Sequence, residues 1–193
     1  MRYLSQATLT VASALNAAIT DGYAWHQAIW RSFPDRPEAQ RDFLFRVDRR
    51  GELFRVLLLS ASEPVPTVLL EWQTKDVSHG FLGYAAYRFQ LKANPTMRRS
   101  ADKRRLAIFD EPRLQAWFER KAEAGGFAIE SLSVGAPVAE VFAKHGKRGK
   151  HVAVDYEGVL RVVDRDAFAK AFQTGIGAAK GFGFGLLMLQ PIH

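Results

Sequence analysis

The chain has 193 residues, 48% of them hydrophobic, which suits one large or two small domains with real cores and no need of covalent staples. It has no cysteine, which excludes disulfides, thiolate-held zinc and a cysteine nucleophile and accords with a reducing, cytoplasmic setting. Lys and Arg outnumber Asp and Glu by 27 to 20, a net charge of +7 that suits a polyanionic partner, while five scattered histidines lack metal-ligand spacing, so neither metal nor cofactor is expected.

Tyr3, Ala7, Leu9 and Val11 fall on one side of an alternating pattern and predict a first strand. Asp21 can cap a helix that runs to Phe33, where Pro34 stops it; Trp25, Ala28, Ile29 and Phe33 form its core stripe. Pro37 predicts a short helical turn. Phe43 to Val47 and Leu53 to Ser60 have strand character and are joined as a hairpin through Asp48-Arg49-Arg50-Gly51-Glu52. Thr67 to Trp72 is a weaker strand candidate, and no second helix is predicted before Tyr84.

In the second half, Tyr87 to Ala93 predicts a strand, and a basic stretch leads to a helix at Pro112 with Leu114, Trp117, Phe118 and Lys121 at helical spacing. Gly125-Gly126 ends that helix. Phe127 to Val134 and Val152 to Val163 have strand character, and Asp164 can cap a helix carrying Phe168, Ala171 and Phe172 that ends at Gly175. Gly175-Ile176-Gly177-Ala178-Ala179-Lys180-Gly181-Phe182-Gly183-Phe184-Gly185 then holds five glycines in eleven positions before the apolar run Leu186 to Leu189. Such a loop can turn at positive φ and offer backbone N–H groups to an anion. Its order, helix then loop then strand, and its glycine spacing exclude the dinucleotide fingerprint. Strand, helix, two strands, helix, strand is the ferredoxin-like order. The predicted fold is α+β, two tandem ferredoxin-like βαββαβ domains over residues 1–84 and 85–193, the first degraded in its second helix, and no segment is long enough for a membrane span.

The glycine loop, two Gly-apolar-Gly units five residues apart with a basic Lys180 between them, resembles the signature of the CRISPR-associated RAMP superfamily. Three further blocks resemble one branch, the CRISPR RNA-processing endoribonuclease CasE of type I-E systems. They are Tyr23-Ala24-Trp25-His26, then Phe33-Pro34-Asp35-Arg36-Pro37 with Arg41-Asp42-Phe43-Leu44-Phe45, and Phe89-Gln90-Leu91-Lys92-Ala93-Asn94-Pro95. Gln90 stands where that branch is expected to have arginine. The resemblance implies tandem ferredoxin-like domains, cleavage of the repeat stem-loop of precursor CRISPR RNA without a metal, and retention in the Cascade complex with its other subunits.

At about 100° per residue, Tyr23, His26 and Trp30 share an arc of roughly 60°, about 130° from the core stripe, so they cannot all be ordinary core residues of that helix. Histidine both gives and accepts a proton near neutral pH. The resemblance implies attack of a ribose 2′-hydroxyl on the adjacent phosphate, giving a 2′,3′-cyclic phosphate and a 5′-hydroxyl. It assigns proton transfer to His26, an orienting hydrogen bond to Tyr23 and neutralisation of the scissile phosphate to Arg31. Two basic clusters are expected to hold the stem: Arg98, Arg99, Lys103, Arg104 and Arg105, and Lys144, Lys147, Arg148 and Lys150, the latter at the tip of a β-hairpin. Gly175, Gly177, Lys180, Gly181, Gly183 and Gly185 are expected to line the RNA, and His79, His145 and His193 receive no catalytic role. The rival readings are a non-catalytic RNA-binding RAMP subunit, which has no need of Tyr23 and His26 on one helix face, and an unrelated ferredoxin-like enzyme or regulatory module.

Overall fold

The computed structural model describes residues 2–34, 42–99, 102 and 104–192. The first sheet is built from β1 (Tyr3–Thr10), β2 (Leu44–Arg50), β3 (Leu53–Ser60) and β4 (Gln73–Asp76), with α1 (Val11–Asn16) and α2 (Gly22–Trp30) between its first two strands. The order β2-β3-β1-β4, antiparallel throughout, sets the first and third strands at the centre, as a ferredoxin-like unit requires. Five consecutive residues at the end of β3 are buried because both faces of this sheet are covered. Val56 and Leu58 lie beneath α2 with Trp25, Ala28 and Ile29, whereas Leu57 and Leu59 point the other way and meet Phe172 and Leu186 of the C-terminal half.

No helix forms between β3 and β4. The chain instead turns on Thr67, whose hydroxyl accepts from the N–H groups of Leu69 and Leu70 at 3.4 and 3.0 Å, and Leu70 drops fully buried into the core. The strand expected over Thr67 to Trp72 is therefore absent. The fourth strand is the polar Gln73–Asp76, an edge strand registered against Tyr3–Gln6 that no apolar alternation marks. Boundaries also differ: β2 runs Leu44–Arg50 where Phe43 to Val47 was expected. Val11 does not end β1 but opens α1, because the Thr10 hydroxyl accepts from Ser13 N–H at 3.0 Å and caps that short helix. Helix α2 ends at Trp30 rather than Phe33. The turn expected at Pro37 lies outside the described residues.

The second half runs β5 (Ala86–Ala93), β6 (Thr96–Arg98), β7 (Arg105–Ala107), α3 (Glu111–Ala124), β8 (Phe127–Val134), β9 (Val138–Lys144), β10 (Lys147–Val162), α4 (Arg165–Thr174) and β11 (Leu187–Ile192). Its sheet order, β11-β5-β10-β8, repeats the first topology with both helices present. Leu114, Trp117 and Phe118 of α3 and Phe168 of α4 close over Tyr87, Phe89, Phe127 and Tyr156 of the sheet. Two hairpins are added to the basic unit, β6–β7 before α3 and β9 laid along the first half of β10. The fold is α+β, with tandem ferredoxin-like units.

Candidate functional site

Asp21, in extended conformation, accepts from the N–H groups of Tyr23 and Ala24 through one carboxylate oxygen, both at 2.8 Å, and so fixes the first turn of α2. With Trp25, Ala28 and Ile29 buried, the other side of the helix presents Tyr23, His26 and Trp30. The half-buried His26 ring stacks on Phe43 at 5.6 Å, contacts Trp30 at 5.6 Å and Phe45 at 6.4 Å, and lies 6.5 Å from the Tyr23 ring. Strand β2 and the helix thus hold the imidazole between aromatic faces. Arg31 is the exposed C-terminal cap of α2, about 7.5 Å along the axis from His26 at 1.5 Å per residue.

The β9–β10 hairpin reaches across to this helix. His145 and Gly146 form its two-residue turn with φ of 50° and 73°, the mirror-image turn geometry that matches strand twist. Lys144 Nζ stands 5.3 Å from the Tyr23 ring centre and the His145 ring lies 6.0 Å from it. The second carboxylate oxygen of Asp21 accepts from Ala143 N–H of β9 at 2.8 Å. At the root of the hairpin, Lys92 of β5 pairs with Glu140 at 2.6 Å, and Phe142 packs on His151 and Phe182, each with ring centres 4.5 Å away. Phe182 in turn lies 6.2 Å from Tyr23. Lys144 and Lys147 face one another across the strands, on the opposite face of the hairpin from Arg148 and Ala143. Lys144, Lys147, Arg148 and Lys150 are all exposed.

Part of the glycine loop serves the fold and not its surface. Gly175 and Gly185 are buried with positive φ, and their N–H groups donate to Ala171 and Lys92 carbonyls at 2.9 and 2.8 Å. These two N–H groups are therefore not anion donors, which corrects the expectation for them. Gly183 is also buried; a Cβ there would meet the Phe45 ring at 3.2 Å. Gly177, Lys180 and Gly181 remain partly exposed, with open space beside Gly181.

The other basic cluster is the tip of the β6–β7 hairpin, a strand pair that the charge run concealed. Asp102 draws in Arg99 and Arg104, the latter at 3.4 Å. Arg98 and Arg105 face each other across the ladder and are exposed, an unfavourable juxtaposition of like charges. Lys103 lies outside the described residues, as do Asp35, Arg36, Pro37, Arg41 and His193.

Three contributions are not visible from sequence spacing. Asp21 reads as a helix cap, yet it also holds a strand 122 residues away. His145 comes beside Tyr23 only through the fold. His151 accepts through Nδ1 from the Asn94 amide at 3.1 Å, an orientation set because Asn94 Oδ1 accepts from Val152 N–H at 3.2 Å. Burial holds the His151 imidazole below its ordinary pKa, with the Glu140 carboxylate opposing the shift.

A family model described as CRISPR associated protein matches residues 2–191. The chain is 36% identical over 186 residues to the CRISPR system Cascade subunit CasE of Escherichia coli, covering 89% of this chain and 93% of that relative. It is 30% identical over 210 residues to the CRISPR-associated endoribonuclease Cse3 of Thermus thermophilus, covering 98% of this chain and all (100%) of that one. A solved structure of CRISPR endoribonuclease Cse3 bound to a 19-nucleotide RNA superposes with a TM-score of 0.86 at 25% identity, covering 98% of this chain and 100% of that one.

Proposed function

Because the chain belongs to the CRISPR associated protein family, we propose that it is a metal-independent endoribonuclease. In this reading it cleaves the repeat stem-loop of precursor CRISPR RNA by 2′-hydroxyl attack and stays with the product as a Cascade subunit. The observation that carries the reading is the placing of Tyr23 and His26 on one partly exposed face of α2 beneath the cationic tip of the β9–β10 hairpin. The names of the relatives, a Cascade subunit and an endoribonuclease, support the same class of partner and reaction. Among the described residues no group of three or more His, Cys, Asp or Glu could hold a metal ion, and no helix is long and apolar enough to cross a membrane.

The domain spanning residues 1–84 supplies the proton-transfer and orienting residues and that spanning 85–193 most of the grip on the RNA. The ribose 2′-oxygen attacks the adjacent phosphorus as its proton leaves, the P–O5′ bond breaks, and the departing 5′-oxygen takes up a proton. His26 carries one of these proton transfers, work ordinarily worth about 10²- to 10⁴-fold in rate. Tyr23 orients the reacting groups as a hydrogen-bond donor. Arg31 and Lys144 offset the charge that builds on the phosphorane. Lys144, Lys147, Arg148 and Lys150, with Arg98 and Arg105 of β6–β7 and Lys180 and Gly181 of the glycine loop, contact stem phosphates, since the deep major groove of A-form RNA hides its base edges.

The test is cleavage of a labelled repeat stem-loop, all-ribose or with a single 2′-deoxy nucleotide at the scissile position. The all-ribose RNA should be cut in EDTA to a 2′,3′-cyclic phosphate, and the deoxy RNA should bind but stay intact. Cleavage at the deoxy linkage with a 3′-hydroxyl product would overturn the mechanism, and binding without cleavage of either RNA would favour the non-catalytic subunit.

A further inference from the structure

We propose that Asp21 is a positioning residue that couples the RNA-holding hairpin to the catalytic helix. The inference rests on the ribonuclease reading above. An N-cap aspartate ordinarily uses one carboxylate oxygen on its helix and leaves the other to water. Here the first oxygen accepts from Tyr23 and Ala24, and the second accepts from Ala143 N–H at 2.8 Å.

The geometry of the hairpin explains why that N–H is available. Lys144 and Lys147 close the two-residue turn and exchange hydrogen bonds, so the next pair, Ala143 and Arg148, is of the non-hydrogen-bonded type and its N–H groups point outward. Among the described residues no strand pairs with the outer edge of β9. One carboxylate therefore sets where the strand edge stands relative to the first turn of α2. It fixes the residue after Ala143, Lys144, over the ring of the residue two after Asp21, Tyr23. The Lys92–Glu140 pair and the Phe142 cluster anchor the root of the hairpin, and the Asp21 contact registers its tip. Phosphates held by Lys144 and Lys147 are thereby registered against Tyr23 and His26, and displacement of reacting groups by about 1 Å can cost 10²-fold in rate.

Asp21→Asn and Asp21→Ser both retain an oxygen for the helix cap, but the first turns an N–H donor towards Ala143 and the second is too short to span to it. Ala143→Pro removes the donor from the other side, at an outward edge position where proline is tolerated. All three should melt close to the wild type, bind the stem-loop within about 3-fold, and cleave it at saturating protein about 10- to 100-fold more slowly. The Ala143 amide should exchange with deuterium faster in the two Asp21 variants. Wild-type cleavage rates in Asp21→Asn and Asp21→Ser, a loss confined to affinity, or unchanged exchange at Ala143 would each overturn the coupling. A wild-type chain that binds without cutting would instead count against the ribonuclease reading, and the exchange measurement would still decide whether the contact exists.

Discussion

Gly22 and Phe182 meet backbone to backbone: a Cβ placed on Gly22 would stand 2.6 Å from the Phe182 carbonyl oxygen. Gly22 opens α2 without a positive φ, so close approach and not backbone conformation demands glycine here. The contact seats the glycine loop of one ferredoxin-like unit on the first turn of α2 in the other. Alanine is the better helix former by about 1 kcal/mol, so an isolated helix would gain from Gly22→Ala. In this protein the loop must retreat instead, at the cost of about 1–3 kcal/mol typical of overpacking. The variant should melt about 2–12 °C lower and cleave at least about 10-fold more slowly. A more stable variant with an unchanged single-turnover rate would show that the loop does not rest on this helix.

His26→Ala should slow cleavage by about 10²- to 10⁴-fold while leaving stem-loop affinity within a few-fold, because the charge that holds RNA lies on other elements. The ring also packs against Phe43 and Trp30. His26→Phe separates the two roles, since it keeps an aromatic ring there and removes the proton carrier. It should be as slow as the alanine variant; substantial activity in His26→Phe would assign the histidine to packing.

The elements with strong local signals were legible in the sequence. Leu53–Ser60 and Phe127–Val134 form with the expected ends, because apolar strands and flanking turns identify themselves within a few residues. The shared face of Tyr23, His26 and Trp30 follows from helical periodicity alone. What stayed hidden depends on distant partners. Strand β4 is polar and exists because β1 offers it an edge; Thr67 to Trp72 looked strand-like because Leu69 and Leu70 are apolar, although they serve a turn and a core plug. Gly175, Gly183 and Gly185 carried the signature of an exposed loop, while their positions are dictated by Leu44, Phe45 and Ile176 pressing on the backbone. His145 beside Tyr23 and Ala143 on Asp21 are products of the tertiary fold, with no local pattern to announce them.

His151 gives the fold a defined pH dependence. Its ring lies between Phe142 and Phe182 with Phe184 at 5.7 Å, and the charged group that faces it is Glu140, itself paired with Lys92. Burial lowers its pKa from the ordinary 6.5, so as pH falls the unfolded chain takes up this proton before the folded one does. The unfolded state then binds more protons, and stability contributed by the neutral ring, complete above 6.5, is lost as pH falls through 6.5 towards the lower folded value. His151→Phe keeps the stacking but cannot titrate. Its melting temperature should fall less steeply than the wild type between about pH 7.5 and 5, whatever the offset from losing the Asn94 contact. Parallel curves would remove His151 from the acid response.

Lys147 and Arg148 are neighbours in sequence but lie on opposite faces of the hairpin, Lys147 with Lys144 towards Tyr23 and Arg148 away from it. Each phosphate contact contributes about 0.7 to 0.9 to the slope of log K against log salt, so replacing both with alanine should weaken binding and reduce the magnitude of the slope by about one to two. The single variants should then part company. Arg148→Ala should lose affinity alone, with its cleavage rate at saturating protein unchanged. Lys147→Ala should lose both affinity and rate, because a phosphate released on that face is no longer registered against Tyr23 and His26. Filter binding over a salt series and single-turnover cleavage on the same RNA measure the two quantities separately. An unchanged slope in the double variant would reduce the hairpin tip to a solvated turn, and equal behaviour of the two single variants would mean that the face of the hairpin does not matter to the chemistry.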